Sequence, residues 1–190
     1  MLNKAVLQVL QRILQENEKE DLWIVGPETG KMLYWLLRVL EPEVALEIGT
    51  SVGYSALWMA SALEENGKGR LFTVESHEER FKRAQENIAE AQMGYRVVQL
   101  KGHAPEIFHE NTALPEVIDF VFFDATKQEH QSYFDTIFPR IPSGGMMVVD
   151  NVNSHRFGPM EKFIKKMHAQ SELKVVEIPV GDGLLIARVQ

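Results

Sequence analysis

At 190 residues, with 45% hydrophobic side chains and no cysteine, the chain is sized for a single domain with a substantial core, and disulfides, thiolate nucleophiles and cysteine zinc sites are excluded. The formal net charge of -7 argues against broad, non-specific nucleic-acid binding, though a local basic face would not show in that sum. Apolar runs are too short to span a membrane, and Met1, Leu2, Asn3 and Lys4 carry neither the apolar stretch nor the cleavage site of a secretory signal. A cytoplasmic protein with no membrane partner is expected.

Leu2, Val6, Val9, Leu10, Ile13 and Leu14 recur at helical period and predict an amphipathic helix over residues 2–20, with charges on its other side. That apolar stripe covers either the body of its own domain or a second copy in a homodimer. Trp23, Ile24, Val25, Gly26 and Pro27 read as an extended approach to a helix at 28–40, which Pro42 ends. Residues 1–40 are thus an N-terminal helical layer, and 44–190 an alternating core. The core opens with strand Val44–Ile48, apolar except for Glu47, and runs into Gly49, Thr50, Ser51, Val52 and Gly53. Two glycines permit backbone angles that other residues resist, and the helix that follows offers unpaired N–H groups to a polar or anionic ligand. The spacing Gly-x-x-x-Gly differs from the dinucleotide fingerprint, so the turn alone is equally well plain architecture. Glu75 adds weight, because it ends strand Arg70–Glu75, where doubly wound nucleotide-binding folds place a carboxylate for ribose hydroxyls.

Alternation continues to the end of the chain. A helix over 78–91 ends near Gly94, a natural left-handed cap. Strand 95–100 leads through Gly102, His103, Ala104 and Pro105 to a short helix reaching Glu110. Strand 117–124, VIDFVFFD, is apolar enough to be covered on both faces. Helix 128–141, strand 146–150 and helix Gly158–Ala169 follow, then strands 174–179 and Leu184–Val189, joined as a hairpin by Val180, Gly181, Asp182 and Gly183. The pattern predicts an α/β, doubly wound seven-stranded sheet, mostly parallel with one antiparallel strand in the edge region and helices on both faces.

Ligands of such sheets sit beyond the carboxyl ends of the strands. Asp124, Asp150 and Asn151 offer two carboxylates and an amide oxygen there, an all-oxygen set suited to a hard divalent cation, Mg²⁺ in first place, and poorly suited to zinc. Taken singly, a strand-end Asp caps a helix, Asp-Asn makes a turn and a lone Lys is solvated. Their convergence in one crevice is what points to a site.

These residues carry a resemblance. Segments LEIGTSVGYSA (46–56), VES (74–76), FFDATK (122–127), GGMMVVDNV (144–152) and PVGDGLLIA (179–187) make the chain similar to class I S-adenosylmethionine-dependent methyltransferases, and within them to the metal-dependent O-methyltransferases of catechol and caffeoyl-CoA type. Nearly the whole chain is covered, and Asp-x-x-Lys followed by Asp-Asn is the specific part. The resemblance implies a Rossmann-like fold and S-adenosyl-L-methionine as cofactor. Glu47, Gly49, Thr50, Ser51, Gly53 and Ser55, with the Val25 backbone, would surround its methionine end. Glu75, with Ser76, would hold the ribose, and Gly102, His103 and Ala104 would pass the adenine. Asp124 would serve cofactor and metal together, Asp124, Asp150 and Asn151 would bind the cation, and Lys127 would be the catalytic base. A small hydroxylated, chelating, catechol-like acceptor follows.

The chain departs from the family pattern at Thr126, at His130, where a tyrosine is usual, and in the short run from Asn153 to Phe157, which lacks the insertion that covers acyl-CoA substrates in plant enzymes. An open pocket leaves room for a tRNA acceptor, with Lys162, Lys165, Lys166, His168 and Arg156 as the basic face, although a solvated helix face is the preferred reading. Two other classes remain: an NAD-dependent oxidoreductase, opposed by the glycine spacing and the oxygen donors, and a non-catalytic cofactor-binding protein, opposed by the retention of Lys127 beside the donor set.

Overall fold

The computed structural model describes residues 2–110 and 112–190; Met1, the first residue of the stretch read for a targeting signal, and Asn111 lie outside the described residues. Seven strands, β1 (Val44–Ile48), β2 (Arg70–Glu75), β3 (Val97–Lys101), β4 (Phe120–Phe123), β5 (Met146–Val149), β6 (Leu173–Ile178) and β7 (Leu184–Val189), form one sheet in the order β3-β2-β1-β4-β5-β7-β6. The first five are parallel. The expected antiparallel strand of the edge region is β7, which the hairpin folds back between β5 and β6.

Strand alternation divides the core in two. Ala45, Leu71, Phe120, Phe122 and Val148 face α1 (Lys4–Asn17), α2 (Pro27–Leu40), α3 (Tyr54–Asn66) and α4 (Glu78–Glu90). Leu46, Ile48, Val121, Phe123 and Val149 face α5 (Ile107–Glu110), α6 (His130–Ile137) and α7 (Gly158–Ala169). Both faces of the sheet are dry, which is why its central strands are apolar almost throughout. The stripe of α1 packs on its own domain: Val6, Val9, Leu10 and Ile13 are buried in the same core as α3 and α4. Burying four such side chains contributes on the order of 6–12 kcal/mol before chain entropy is charged against it. Ion pairs Arg83 to Glu16 (2.8 Å) and Arg12 to Glu90 (2.7 Å) fix α1 on α4.

Several boundaries differ from the sequence expectation. α1 stops at Asn17 because that side chain accepts from Leu22 N (2.9 Å) and turns the chain. Gln92, and not Gly94, takes the left-handed conformation after α4, with φ +59°. β4 begins at Phe120, just after Asp119, whose backbone still bonds the Val44 carbonyl and Met146 N (both 2.9 Å) while its carboxylate accepts from Glu43 N and Val44 N, both at 2.9 Å. The expected helix at 128–141 is broken into a 3₁₀ turn at Lys127–Glu129, α6, and a second 3₁₀ turn at Phe138–Arg140; Pro139 has no N–H to continue the helix.

From β1 the chain winds outward through β2 and β3, then returns to place β4 on the other flank of β1. A crevice therefore opens between the carboxyl ends of β1 and β4, at the topological switch point. Among the described residues no helix is long and apolar enough to cross a membrane.

Candidate active site

A cleft of about 680 Å³ occupies this switch point. Gly49 starts its floor at φ +105°, and its N–H and that of Thr50 both donate to the Val74 carbonyl, at 3.0 and 3.1 Å. The turn thereby leaves the Ser51 N–H aimed at Glu75 Oε2 (2.8 Å), while Glu75 Oε1 accepts from His77 N (2.8 Å). Each carboxylate oxygen is fixed by one backbone donor and keeps a lone pair for a ligand hydroxyl. The Ser51 hydroxyl donates to the Leu22 carbonyl (2.5 Å), tying the segment before α2 to the turn.

Val25, Gly49, Ser51, Glu75 and Ser76 line this half of the cleft, and Gly102, His103 and Ala104 close its far side. Glu47, Thr50, Gly53 and Ser55 lie behind the cleft wall. Glu47 is fully buried and accepts from the Ser55 hydroxyl and from Thr73 Oγ1 (2.5 Å), with Thr50 and Thr73 in contact at 2.5 Å. Burial pushes the Glu47 carboxyl up to about 8, against those two donors and with a smaller push from Asp124 and Glu75. Glu47, Ser55, Thr73 and Thr50 form a hydrogen-bonded platform under the turn.

Acidic groups gather at the other half. Lys127 Nζ donates to Asp124 Oδ1 at 2.9 Å, both side chains being mostly buried. Burial raises the Asp124 carboxyl, opposed by Lys127. Asp150 is raised to about 7, first by burial and then by the charge of Asp124, and its Oδ1 is buried with no hydrogen-bond partner. Asn151 follows at φ +59° and its amide reaches Asp182 Oδ2 at 3.5 Å. All five of Asp124, Lys127, Asp150, Asn151 and Asp182 line the cleft. Among the described residues no group of three or more His, Asp or Glu side chains could hold a metal; the donor set is two carboxylates and one amide oxygen.

His130, where the family pattern has tyrosine, is withdrawn into the core between Phe123, Tyr133 and Phe163. Its Nδ1 donates to the Thr126 carbonyl (3.1 Å), and burial, helped by Lys127, lowers it to about 4, so the ring is neutral. A different tyrosine lines the cleft: Tyr133 donates to Glu129 Oε2 (2.7 Å), and Glu129 Oε1 bonds the His103 ring (3.2 Å). Tyr133, Asp182 and Arg80 were invisible as site residues in the sequence. Gly-Asp-Gly in a hairpin reads only as a turn, and the other two stand at unremarkable helical positions.

Comparison with known proteins places the chain in a family. The family model for O-methyltransferases matches residues 2–190. A catechol O-methyltransferase of Niastella koreensis is 35% identical over 135 residues, 67% of this chain and 58% of that enzyme; the match spans less than two thirds of that relative's length. A caffeoyl-CoA O-methyltransferase of Petroselinum crispum is 27% identical over 188 residues, covering 88% of this chain and 77% of the plant enzyme. Among solved structures, the O-methyltransferase TomG of Streptomyces achromogenes, which acts in tomaymycin synthesis and was crystallised with S-adenosylmethionine, superposes with a TM-score of 0.82 at 28% identity, over 99% of this chain and 90% of its own. The chain belongs to the O-methyltransferase family.

Proposed function

We propose that the protein moves the methyl group of S-adenosylmethionine to one hydroxyl of a small, catechol-like aromatic acceptor, with a divalent cation, Mg²⁺ in first place, at the acceptor. The observation that carries this reading is the division of one cleft into two chemically distinct ends: Glu75 with both oxygens oriented by backbone N–H groups, and Asp124, Lys127, Asp150 and Asn151 together opposite. The donor set fits a hard cation, since Asp150 Oδ1 is buried and unpartnered and two buried acids disfavour each other's ionisation unless positive charge joins them. Asp124, Asp150 and Asn151 would hold that cation, which when bound stabilises the deprotonated acceptor oxygen.

The chain's own residues do the rest. Glu75 takes the ribose hydroxyls and so fixes the cofactor along the cleft. Lys127, held by Asp124, would take the acceptor's proton as the neutral amine, the form that positive charge nearby favours over the ammonium. The platform of Glu47, Ser55 and Thr73 keeps the turn from shifting, because in-line transfer between oxygen, carbon and sulfur loses rate steeply with small misplacement. Tyr133, Glu129 and His103 brace the two loops that bound the far side of the cleft.

The tRNA alternative gains no support. Lys165 pairs with Glu161, Lys166 with Asp135, and His168 and Arg156 with Glu177, so most of the basic face is neutralised within the chain. Family membership also displaces the oxidoreductase reading. The test is methylation of catechol by the purified chain with S-adenosylmethionine, with Mg²⁺ and with a chelator, followed by mass spectrometry. Methylated catechol that needs the cation is expected; no product with the cation, or product indifferent to the chelator, would overturn the reading.

A further inference from the structure

Trp23 is the oddest residue on the surface. It is 67% exposed, so its ring adds little to the core, yet its backbone sits at φ +54°, a left-handed conformation that bulky side chains rarely adopt. Three hydrogen bonds hold the chain in that shape. Leu22 N donates to Asn17 Oδ1 (2.9 Å), Trp23 N donates to Asp21 Oδ1 (3.0 Å), and the Leu22 carbonyl accepts from the Ser51 hydroxyl (2.5 Å). The result is an indole ring under the Arg80 guanidinium, 4.8 Å from carbon to ring centroid.

Arg80 supplies the other half of the contact. It forms no ion pair among the described residues, and its guanidinium lies over the Trp23 ring. It stands in the first turn of α4, just past Glu75, Ser76 and His77. Trp23 comes from the opposite wall, on the segment that Ser51 ties to the turn. Trp23, Arg80 and Glu75 line the same cleft, so the ring and guanidinium bridge its two walls beside the carboxylate that takes the ribose.

We propose that Trp23 and Arg80 form a clasp over the cofactor half of the cleft, and that this contact sets the rate at which S-adenosylmethionine and its demethylated product exchange. The proposal rests on the methyltransferase reading above. A cation over an aromatic face is attractive but easily parted and remade, as a contact that must open each turnover requires. Trp23 and Arg80 are therefore positioning residues, and their loss speeds release without removing a group from the acceptor end.

The test is stopped-flow release of S-adenosylhomocysteine from the full chain, in the parent, Trp23→Ala, Arg80→Ala and the double variant. Each single change is expected to speed release about three- to ten-fold, and the double variant no more than either single one, as coupled residues do. Trp23→Phe should retain most of the effect. Trp23→Gly, which frees the backbone while removing the ring, should release as fast as Trp23→Ala. Parent-like release in the single variants, multiplying effects in the double variant, or parent-like release in Trp23→Gly would each overturn the clasp. No saturable binding by the folded parent would instead remove the methyltransferase reading, and the clasp with it.

Discussion

Gly49→Ala is the substitution whose consequence can be worked out most fully. Gly49 sits at φ +105°, and a Cβ built there would lie 2.5 Å from the Asp124 carbonyl oxygen, 2.8 Å from its carbon and 3.0 Å from Ala125 N. The nearest of these is about 0.9 Å inside ordinary contact, taken as 3.4 Å. All the obstructing atoms are backbone at the end of β4, held by the bond from Asp124 N to the Ile48 carbonyl (3.0 Å), so no side chain can swing away. Left-handed strain of roughly 1–3 kcal/mol adds to overpacking of roughly 1–3 kcal/mol, for a destabilisation of about 2–6 kcal/mol. Gly67→Ala is the control, since Gly67 has φ +72° but nothing within 4 Å of its would-be Cβ; it should cost about 1–2 kcal/mol. Urea unfolding of both variants measures the difference. If Gly49→Ala fell within about 1 kcal/mol of Gly67→Ala, the close approach of the turn to Asp124 would not be tight enough to hold the site together.

Other perturbations address the two ends of the cleft and the platform beneath it. Asp150→Ala should lower cation-stimulated turnover at least about 100-fold while leaving cofactor affinity within about three-fold, because Glu75 does not depend on the cation; calorimetry beside the catechol assay separates the two. Glu75→Gln should do the reverse and weaken cofactor binding about 10- to 100-fold through loss of charged hydrogen bonds, and parent-like affinity would refute its role. Glu47 has its carboxyl raised from 4.5 to about 8, so the folded state binds a proton that the unfolded chain releases. Its contribution is complete below pH 4.5 and is lost as pH rises through about 8, with a ceiling on the order of 5 kcal/mol. The stability gap between parent and Glu47→Gln should therefore shift in favour of the variant across that window, and parallel pH profiles would contradict the burial argument.

How much of this was legible in the sequence depended on how local the cause was. β1, β2 and β7 begin and end where read, because an apolar run closed by Gly49, an acid at Glu75 and the turn Val180, Gly181, Asp182 and Gly183 are all signals within a few residues. Gly94 misled because glycine is only the commonest left-handed residue after a helix, and Gln92 met the geometry first. The Asp119 carboxylate at the start of β4 bonds residues 43 and 44, far away in sequence, which no local pattern shows. Asp124, Lys127, Asp150 and Asn151 converge as expected because strand ends are where a parallel sheet delivers side chains. Arg80 and Tyr133 join them only through how α4 and α6 roll on the sheet, which no spacing encodes. Glu47 was read as facing the cofactor, yet it stands behind the wall: a strand residue's face is fixed by alternation with Leu46 and Ile48, and its partner on that side is Ser55 of α3.

The most direct test is calorimetric binding of S-adenosylmethionine and of NAD to the purified, ligand-free chain, each with and without Mg²⁺. Saturable binding of S-adenosylmethionine, with NAD failing to bind, is the predicted result. A properly folded chain that bound neither, or bound NAD in preference, would contradict the assignment of the glycine turn and Glu75 to a methyl donor and withdraw the proposed reaction.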